Sequence, residues 1–589
     1  MSTLRYGSDL LVDLLRVFGI EYLAGNPGAT WRGLHESLEN YGPEQSPKVI
    51  EVCHEEIGVA LAHGYAKAAG RPMAVALHNV VGLAHATMAI FNAWCDRAPI
   101  LMLGGTGPVD ASRRRPWIDW IHTAHPQAEL VRPFVKWDDQ PAGHRAAVDS
   151  FAHAYRVATA DPPGPVYLCY DVTLQEDEVV DEIVLPDPTR FAAPSPPGPD
   201  ADTLRRITEW IVEARHPVIL AEGLGLLPGA SAALEALSSL LAAPVLEVGR
   251  AAGSIRNTYE LDLTGCASEA LADADLVLAL GVRDLEDALH ATDYGSRATT
   301  PLWGGGGRLI DIGMRTLSGN GWLTDSGRPQ PVDVAVTARP DVAVHALLDA
   351  CRATSAGRAD VDGVDRDRRE QRRRRLTSVR AAARRRWQDG ARNSESGDLI
   401  APAALARVLH GALNGRAWML GNGNLHGWPR RLWPWDDAGA YLGESGGAGL
   451  GYGLGAALGA ALAPSSSAKV VLNLEGDGDL LYTPSALWTA AHHQIPVLTI
   501  VVNNRSYFQD EGHNTWTARA RGRSAERAVQ GVRLRDPNVD FGALARSMGV
   551  HGVGPIERLD DLAGALAEAI DVVANQRRPA LVDVITRPR

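Results

Sequence analysis

The chain has 589 residues, 45% of them hydrophobic, with 60 Gly, 36 Pro and a formal net charge of −12. That is roughly three domains' worth of a globular α/β protein. The negative balance argues against a nucleic-acid partner, and no apolar run reaches the roughly eighteen residues that a membrane span needs. The start, Met1 to Arg5, has no signal-peptide pattern, and the five scattered cysteines show no paired spacing. A cytoplasmic protein with reduced thiols and no zinc site is expected.

Ser8 reads as the N-cap of a helix carrying Leu10, Leu11, Leu14, Leu15 and Phe18 at helical spacing, closed by Gly19. Tyr22 to Ala24 predicts a first strand, ending in the loop Gly25-Asn26-Pro27-Gly28-Ala29-Thr30. Val49 to Cys53 predicts a second, followed by His54-Glu55-Glu56 and a helix to Gly70. Met73 to Leu77 and Ile100 to Leu103 follow as the third and fourth strands, with His78 just after the third. This alternation implies a doubly wound parallel sheet over roughly residues 4–180.

A proline-rich connector follows at 181–202. Val218 to Ala221, Ala243 to Leu246, Leu276 to Leu280 and Arg308 to Asp311 predict the strands of a second α/β block. The arginine run from Arg358 to Arg386 is interspersed with Asp362, Asp365, Asp367 and Glu370. It reads as a solvated connector helix in preference to a nucleic-acid patch. A third block begins near Ala401 with a helix, a strand at Ala417 to Leu420 and the loop Gly421 to His426. The glycine-rich run Gly446 to Gly453 comes next.

The stretch from Val470 to Asn504 carries the chemistry. A short β-branched run breaks at Gly476-Asp477-Gly478, a helix is expected with Thr483 as N-cap and Pro484 at its first position, and Val497 to Val502 ends in Asn503-Asn504. Two neighbouring parallel strands would bring Asp477 and Asn504 to one carboxyl edge. A carboxylate and an amide carbonyl are hard ligands suited to Mg2+ carrying a diphosphate. The glycines permit close approach to phosphate oxygens.

Gly476-Asp477-Gly478 followed by Asn503-Asn504 resembles the diphosphate-binding motif of thiamine diphosphate (ThDP) enzymes. Ser485 to Ala491 with Ile495-Pro496 looks like benzoylformate decarboxylase and its acetolactate-synthase-like relatives. His54-Glu55-Glu56 with Gly64-Tyr65-Ala66 matches the family's pattern around its catalytic glutamate. Aligning on Gly-Tyr-Ala selects Glu55; Glu56 then reads as a solvated or helix N-terminal carboxylate favoured by the dipole. The resemblance implies an α/β protein of three doubly wound parallel-sheet domains. They are a pyrimidine-binding domain (1–185), a Rossmann-like middle domain (200–350) and a diphosphate-binding domain (399–589), with an arginine-rich connector at 351–398.

It also implies roles for single residues. Glu55 would bond the aminopyrimidine ring so that the cofactor can lose its C2 proton. Asp477 and Asn504 would ligate Mg2+ with a backbone carbonyl near Ser506, and Gly476, Gly478 and Asn424 would help hold the diphosphate. Gly449 would accept from the cofactor's exocyclic amine, and Leu450 would wedge between its two rings. His78, His122 and Asp510 are the candidate proton-transfer groups. Ala29 departs from the serine of benzoylformate decarboxylase and the aspartate of pyruvate decarboxylase. The middle domain, which binds FAD in some relatives, is expected to be structural here. Glu55 of one chain would serve the cofactor held by Asp477 of another, giving a homodimer or homotetramer.

The implied function is a ThDP- and Mg2+-dependent enzyme acting on a C–C bond next to a carbonyl. A 2-oxo acid decarboxylase releasing an aldehyde is the leading reading, ahead of acetolactate-synthase-like carboligation and of diketone or acyloin cleavage. A regulatory homologue without turnover is disfavoured by Glu55, Leu450, Asp477 and Asn504 occurring together. A nicotinamide dehydrogenase is disfavoured because no convincing Gly-x-Gly-x-x-Gly follows a first strand.

Overall fold

The computed structural model describes residues 6–587 apart from 43, 45, 46, 117, 181, 294, 318–323, 359–362, 398 and 424. Its first sheet is built from β1 (Tyr22–Gly25), β2 (Lys48–Glu51), β3 (Met73–Leu77), β4 (Ile100–Thr106), β5 (Asp138–Asp139) and β6 (Val166–Asp171). The order is β2-β1-β3-β4-β6-β5, every pair parallel. The central strands are buried throughout because helices cover both faces.

The second sheet takes β7 (Pro217–Ala221), β8 (Val245–Glu247) and β9 (Leu276–Leu280). A two-stranded hairpin, β10 (His290–Thr292) and β11 (Thr299–Pro301), precedes β12 (Arg308–Gly313) and β13 (Val334–Thr337). The order β13-β12-β9-β7-β8 places its switch point between β7 and β9. The third sheet, β14 (Trp418–Gly423), β15 (Val470–Gly476), β16 (Val497–Asn503), β17 (His551–Ile556) and β18 (Ala580–Ile585), runs β14-β15-β16-β18-β17 and is again parallel. The chain is thus α/β with three parallel sheets.

Several local expectations give way to tertiary contacts. The first helix is Gly7–Val17, and Ser8 lies inside it, where its Oγ accepts from Ser37 Oγ at 2.8 Å. The exposed end is closed instead by the Asp9 carboxylate, which accepts the Tyr6 N–H at 3.0 Å. Thr483 does not cap a helix either: Ser485 precedes the helix Ala486–His492, and Thr483 Oγ1 donates to Gly451 O at 3.1 Å. The arginine-rich helix Gly363–Asn393 is more than a solvated connector. Arg372 is buried and donates to Ala242 O at 2.9 Å and to Leu241 O, the open carbonyls at the end of the helix Ala230–Leu241. Arg380 likewise reaches Asp262 O and Asn257 O.

Among the contacts that join the blocks, two are deeply buried. The helices Glu55–Ala69 and Gly453–Leu462 cross backbone to backbone. A Cβ on Gly64 would fall 1.9 Å from Ala456 O, and one on Gly459 would fall 1.8 Å from Leu61 O. The glycine of Gly64-Tyr65-Ala66 is therefore required by a close approach.

The second contact is a buried charge cluster from all three blocks. Asp96 Oδ2 lies 3.0 Å from Lys67 Nζ and 3.0 Å from His63 Nε2, and its Oδ1 lies 3.3 Å from Arg283 Nη1. Lys67 also donates to Glu444 O and Tyr452 Oη, and Arg283 Nε to Glu222 Oε1 at 2.7 Å. Burial alone would raise the Asp96 carboxyl, but Lys67, His63 and Arg283 hold it well below the usual carboxylate range. Asp96→Asn would leave two buried cations short of their counter-charge. A loss of about 3–5 kcal/mol in stability is expected by urea denaturation at pH 7, as for other broken buried pairs. A change below about 1 kcal/mol, the range of an exposed pair, would show the cluster to be dispensable.

Candidate active site

The N-terminal half of the site lies at the carboxyl edge of the first sheet. Glu55 opens the helix Glu55–Ala69 and is 4% exposed. Its Oε1 accepts from Asn26 Nδ2 at 3.2 Å, and its Oε2 lies 3.1 Å from His85 Nδ1. Glu56, one residue on, points elsewhere: a Cβ on Gly451 would come within 3.0 Å of its Oε1. Burial, with the neighbouring Asp479 charge, pushes the Glu56 carboxyl up to about 7. Glu56 thus stands in the first turn of the helix, one of the two expected places, but is half-buried there instead of solvated.

His78 caps β3 and is 8% exposed. Thr30 approaches its Nδ1 with Oγ1 at 3.0 Å and donates its N–H at 3.4 Å. That nitrogen is thus the acceptor, and neutral His78 carries its proton on Nε2. Nε2 in turn lies 3.4 Å from His122 Nδ1, so the two imidazoles and Thr30 stand in one hydrogen-bonded row. Gly28 makes this possible, since a Cβ there would sit 2.3 Å from the His78 side chain. Ala29 leaves no polar group of its own, but its neighbour Thr30 supplies one.

The C-terminal half lies at the carboxyl edge of the third sheet. Gly476 pairs with Val502, so Asp477 and Asn504 emerge from adjacent strand ends. Asp477 is 3% exposed; Oδ1 accepts from Gly478 N at 2.9 Å, while Oδ2 is buried with no hydrogen-bond partner among the described residues. Burial pushes its carboxyl up to about 6. Asn504 Oδ1 accepts from Ser506 N at 2.9 Å and retains a second lone pair. An orphaned carboxylate oxygen beside an amide oxygen is a donor set that fits a divalent cation. Gly478 leaves room for the Tyr507 ring, whose nearest carbon would lie 2.4 Å from a Cβ.

Leu450 is presented between two clamped glycines. Gly449 donates to Asn92 Oδ1 at 3.1 Å and accepts from Asn92 Nδ2 at 3.3 Å. Gly451, with φ of 88°, donates to Asp479 Oδ1 at 2.6 Å and accepts from Thr483. Asp510 lies exposed in the first turn of the helix Phe508–Ala520. Among the described residues no hydrogen bond joins it to His78 or His122. Asn424 lies outside the described residues.

Sequence reasoning missed Asn26, Thr30, His85, Asn92 and Asp479. Only Asn26 and Thr30 carried a signal, standing in the loop already singled out. The others come from segments whose proximity depends on how the sheets pack.

At the middle block's switch point Glu222, just after β7, pairs with Arg283, which follows β9. The cavity beside it, lined by Phe91, Arg250, Asp287 and Gly447 among others, is about 240 Å³. That falls short of the roughly 300–1,000 Å³ typical of small-molecule sites.

Three family descriptions match the chain. The N-terminal TPP binding domain of thiamine pyrophosphate enzymes matches residues 5–130, their central domain 204–311, and their C-terminal TPP binding domain 421–584. A probable 2-ketoarginine decarboxylase of Pseudomonas aeruginosa is 27% identical over 288 residues, which is 48% of this chain and 49% of that protein. The match thus spans about half the length of that relative. A benzoylformate decarboxylase of the same organism is 25% identical over 591 residues, covering 98% of each chain. Among solved structures, the ThDP-dependent 4-hydroxybenzoylformate decarboxylase of Rhodococcus jostii RHA1 superposes with a TM-score of 0.74 at 20% identity, over 99% of each chain.

Proposed function

This chain belongs to the thiamine pyrophosphate enzyme family, and from that premise we propose that it is a Mg2+-dependent 2-oxo acid decarboxylase releasing an aldehyde. When bound, thiamine diphosphate supplies the nucleophilic carbon and the electron sink for breaking a bond next to a carbonyl. Asp477, Asn504 and the Ser506 carbonyl would hold the metal. Gly476, Gly478 and Asn424 would hold the diphosphate, with Gly449 and Leu450 shaping the cofactor's bend. Glu55 would bond the aminopyrimidine ring.

The observation that carries the choice of reaction is the His78–His122 pair backed by Thr30. Releasing an aldehyde requires a proton at the former carbonyl carbon, and two linked imidazoles behind one polar loop can deliver it. The decarboxylase name of a relative aligned over nearly the whole chain supports the same reading.

The site is proposed to be completed between chains, with residues 1–185 of one copy facing residues 399–589 of another. Within one chain it is Glu56 that reaches Gly451, while both Glu55 oxygens are bonded inside the N-terminal block. A homodimer or homotetramer follows, in which Asp510 of one chain would face the histidine pair of another. Residues 200–350 are proposed to be structural and 351–398 the connector, supported by the small cavity at the switch point and by Arg372, which is buried against the middle block.

Product analysis with a single bulky 2-oxo acid tests the reaction. Aldehyde is expected as the main product, and Asp510→Leu is expected to shift the balance toward 2-hydroxyketone. A wild type that yields only 2-hydroxyketone or 2-acyl-2-hydroxy acid, unchanged in Asp510→Leu, would replace this reading with a carboligase.

A further inference from the structure

Glu55 is held by a residue that the assigned roles leave unused. His85 stands on the helix Asn79–Cys95, in the same face as Gly82 one turn earlier. Gly82 gives Glu55 its space, since a Cβ there would lie 3.2 Å from Glu55 Cγ and Oε1. His85 Nδ1 then meets Glu55 Oε2 at 3.1 Å. The His85 ring is itself held flat against His54, with centroids 4.9 Å apart and planes within 18°. His54 is anchored in turn, accepting the Glu56 N–H at Nδ1, as the residue that caps the Glu55 helix. Burial and the adjacent His85 hold His54 toward its neutral form.

We propose that His85 is a positioning residue for Glu55: braced by the stacked His54 ring, it donates from Nδ1 to Oε2 and fixes the rotation of the carboxyl group. Asn26 restrains the other oxygen, so the carboxyl plane is set by one donor on each side. A carboxyl that must meet a planar ring nitrogen gains from such restraint, because misalignment of a catalytic hydrogen bond is costly in rate. The inference rests on the assignment of Glu55 to the cofactor's pyrimidine ring. It adds that the assignment depends on a donor at the δ position of residue 85.

The test uses the full-length protein with thiamine diphosphate and Mg2+ and reads C2-proton exchange and cofactor affinity, neither of which needs turnover. His85→Leu removes the donor, and exchange is expected to slow about tenfold while cofactor Kd stays within about threefold of wild type. His85→Asn places an amide Nδ2 where the imidazole Nδ1 stood and is expected to restore exchange to within about threefold. His85→Asp sets a second carboxylate against Glu55 and is expected to be slower than His85→Leu. If His85→Leu does not fold, the contrast between the Asn and Asp variants carries the test. Exchange at the wild-type rate in His85→Leu, or equal losses in the Asn and Asp variants, would overturn the proposal. Glu55→Gln, run alongside, separates the two ideas. Unimpaired exchange there would sink the role of Glu55 itself, whereas slowed exchange there with indifferent His85 variants would sink only the present inference.

Discussion

Glu55→Gln is expected to bind thiamine diphosphate normally and to exchange the cofactor's C2 proton slower than wild type by about 10²-fold or more. Binding should survive because the site can absorb the change. Glutamine keeps the length and an oxygen for Asn26 Nδ2, and its amide can turn toward His85, whose Nδ1 can accept in the other tautomer. What glutamine lacks is the ability to shuttle a proton to the ring nitrogen. The control is Glu56→Gln, which removes a carboxyl pushed up to about 7 by burial and by Asp479. Exchange in that variant should stay close to wild type. Normal exchange in Glu55→Gln together with slow exchange in Glu56→Gln would mean that the two neighbours have been assigned the wrong way round.

The second large effect is expected at Asp477. Asp477→Ala should weaken metal-dependent ThDP binding by at least about 10²-fold, because the diphosphate loses its bridging cation. Titration with Mg2+ present and after chelation measures it; affinity that survives both the substitution and the chelator would remove Asp477 from the site. The metal-free protein gives a second, independent signature. The Asp477 carboxyl is raised from the ordinary 3.8 to about 6, mainly by burial. A raised carboxyl binds its proton more tightly in the folded state, so the penalty is absent below about pH 4 and fully present above about pH 6. Its size is about 3 kcal/mol. With chelator present, Asp477→Asn should therefore melt higher than wild type at pH 7.5, and that gain should fade as the pH falls toward 4. A variant that melts lower than wild type at pH 7.5 would show that Oδ2 as well as Oδ1 already has a partner.

The sequence by itself was enough for the α/β class, the three blocks and the carboxyl-edge placement of Asp477 and Asn504. The reason is that these depend on short-range pattern. Runs such as Val470 to Leu474 and Val497 to Val502 have one favourable arrangement as buried parallel strands, and a strand end is where the next residue must emerge. Tertiary structure alone decided which way side chains of adjacent residues face. Glu55 and Glu56 are neighbours at the start of one helix, yet successive helical residues diverge by about 100°. One lies against Asn26 and His85, the other against Gly451. The same holds for caps and charges. Ser8 and Thr483 are good N-cap residues by type, but Ser37 and Gly451 offered their hydroxyls partners from distant segments. Arg372 belongs to a run that reads as solvated, but the open carbonyls at the end of Ala230–Leu241 lie where its guanidinium can reach. Hydrogen-bond donors and acceptors are satisfied by whatever the packing brings within about 3 Å, and that proximity across hundreds of residues is not written in local pattern.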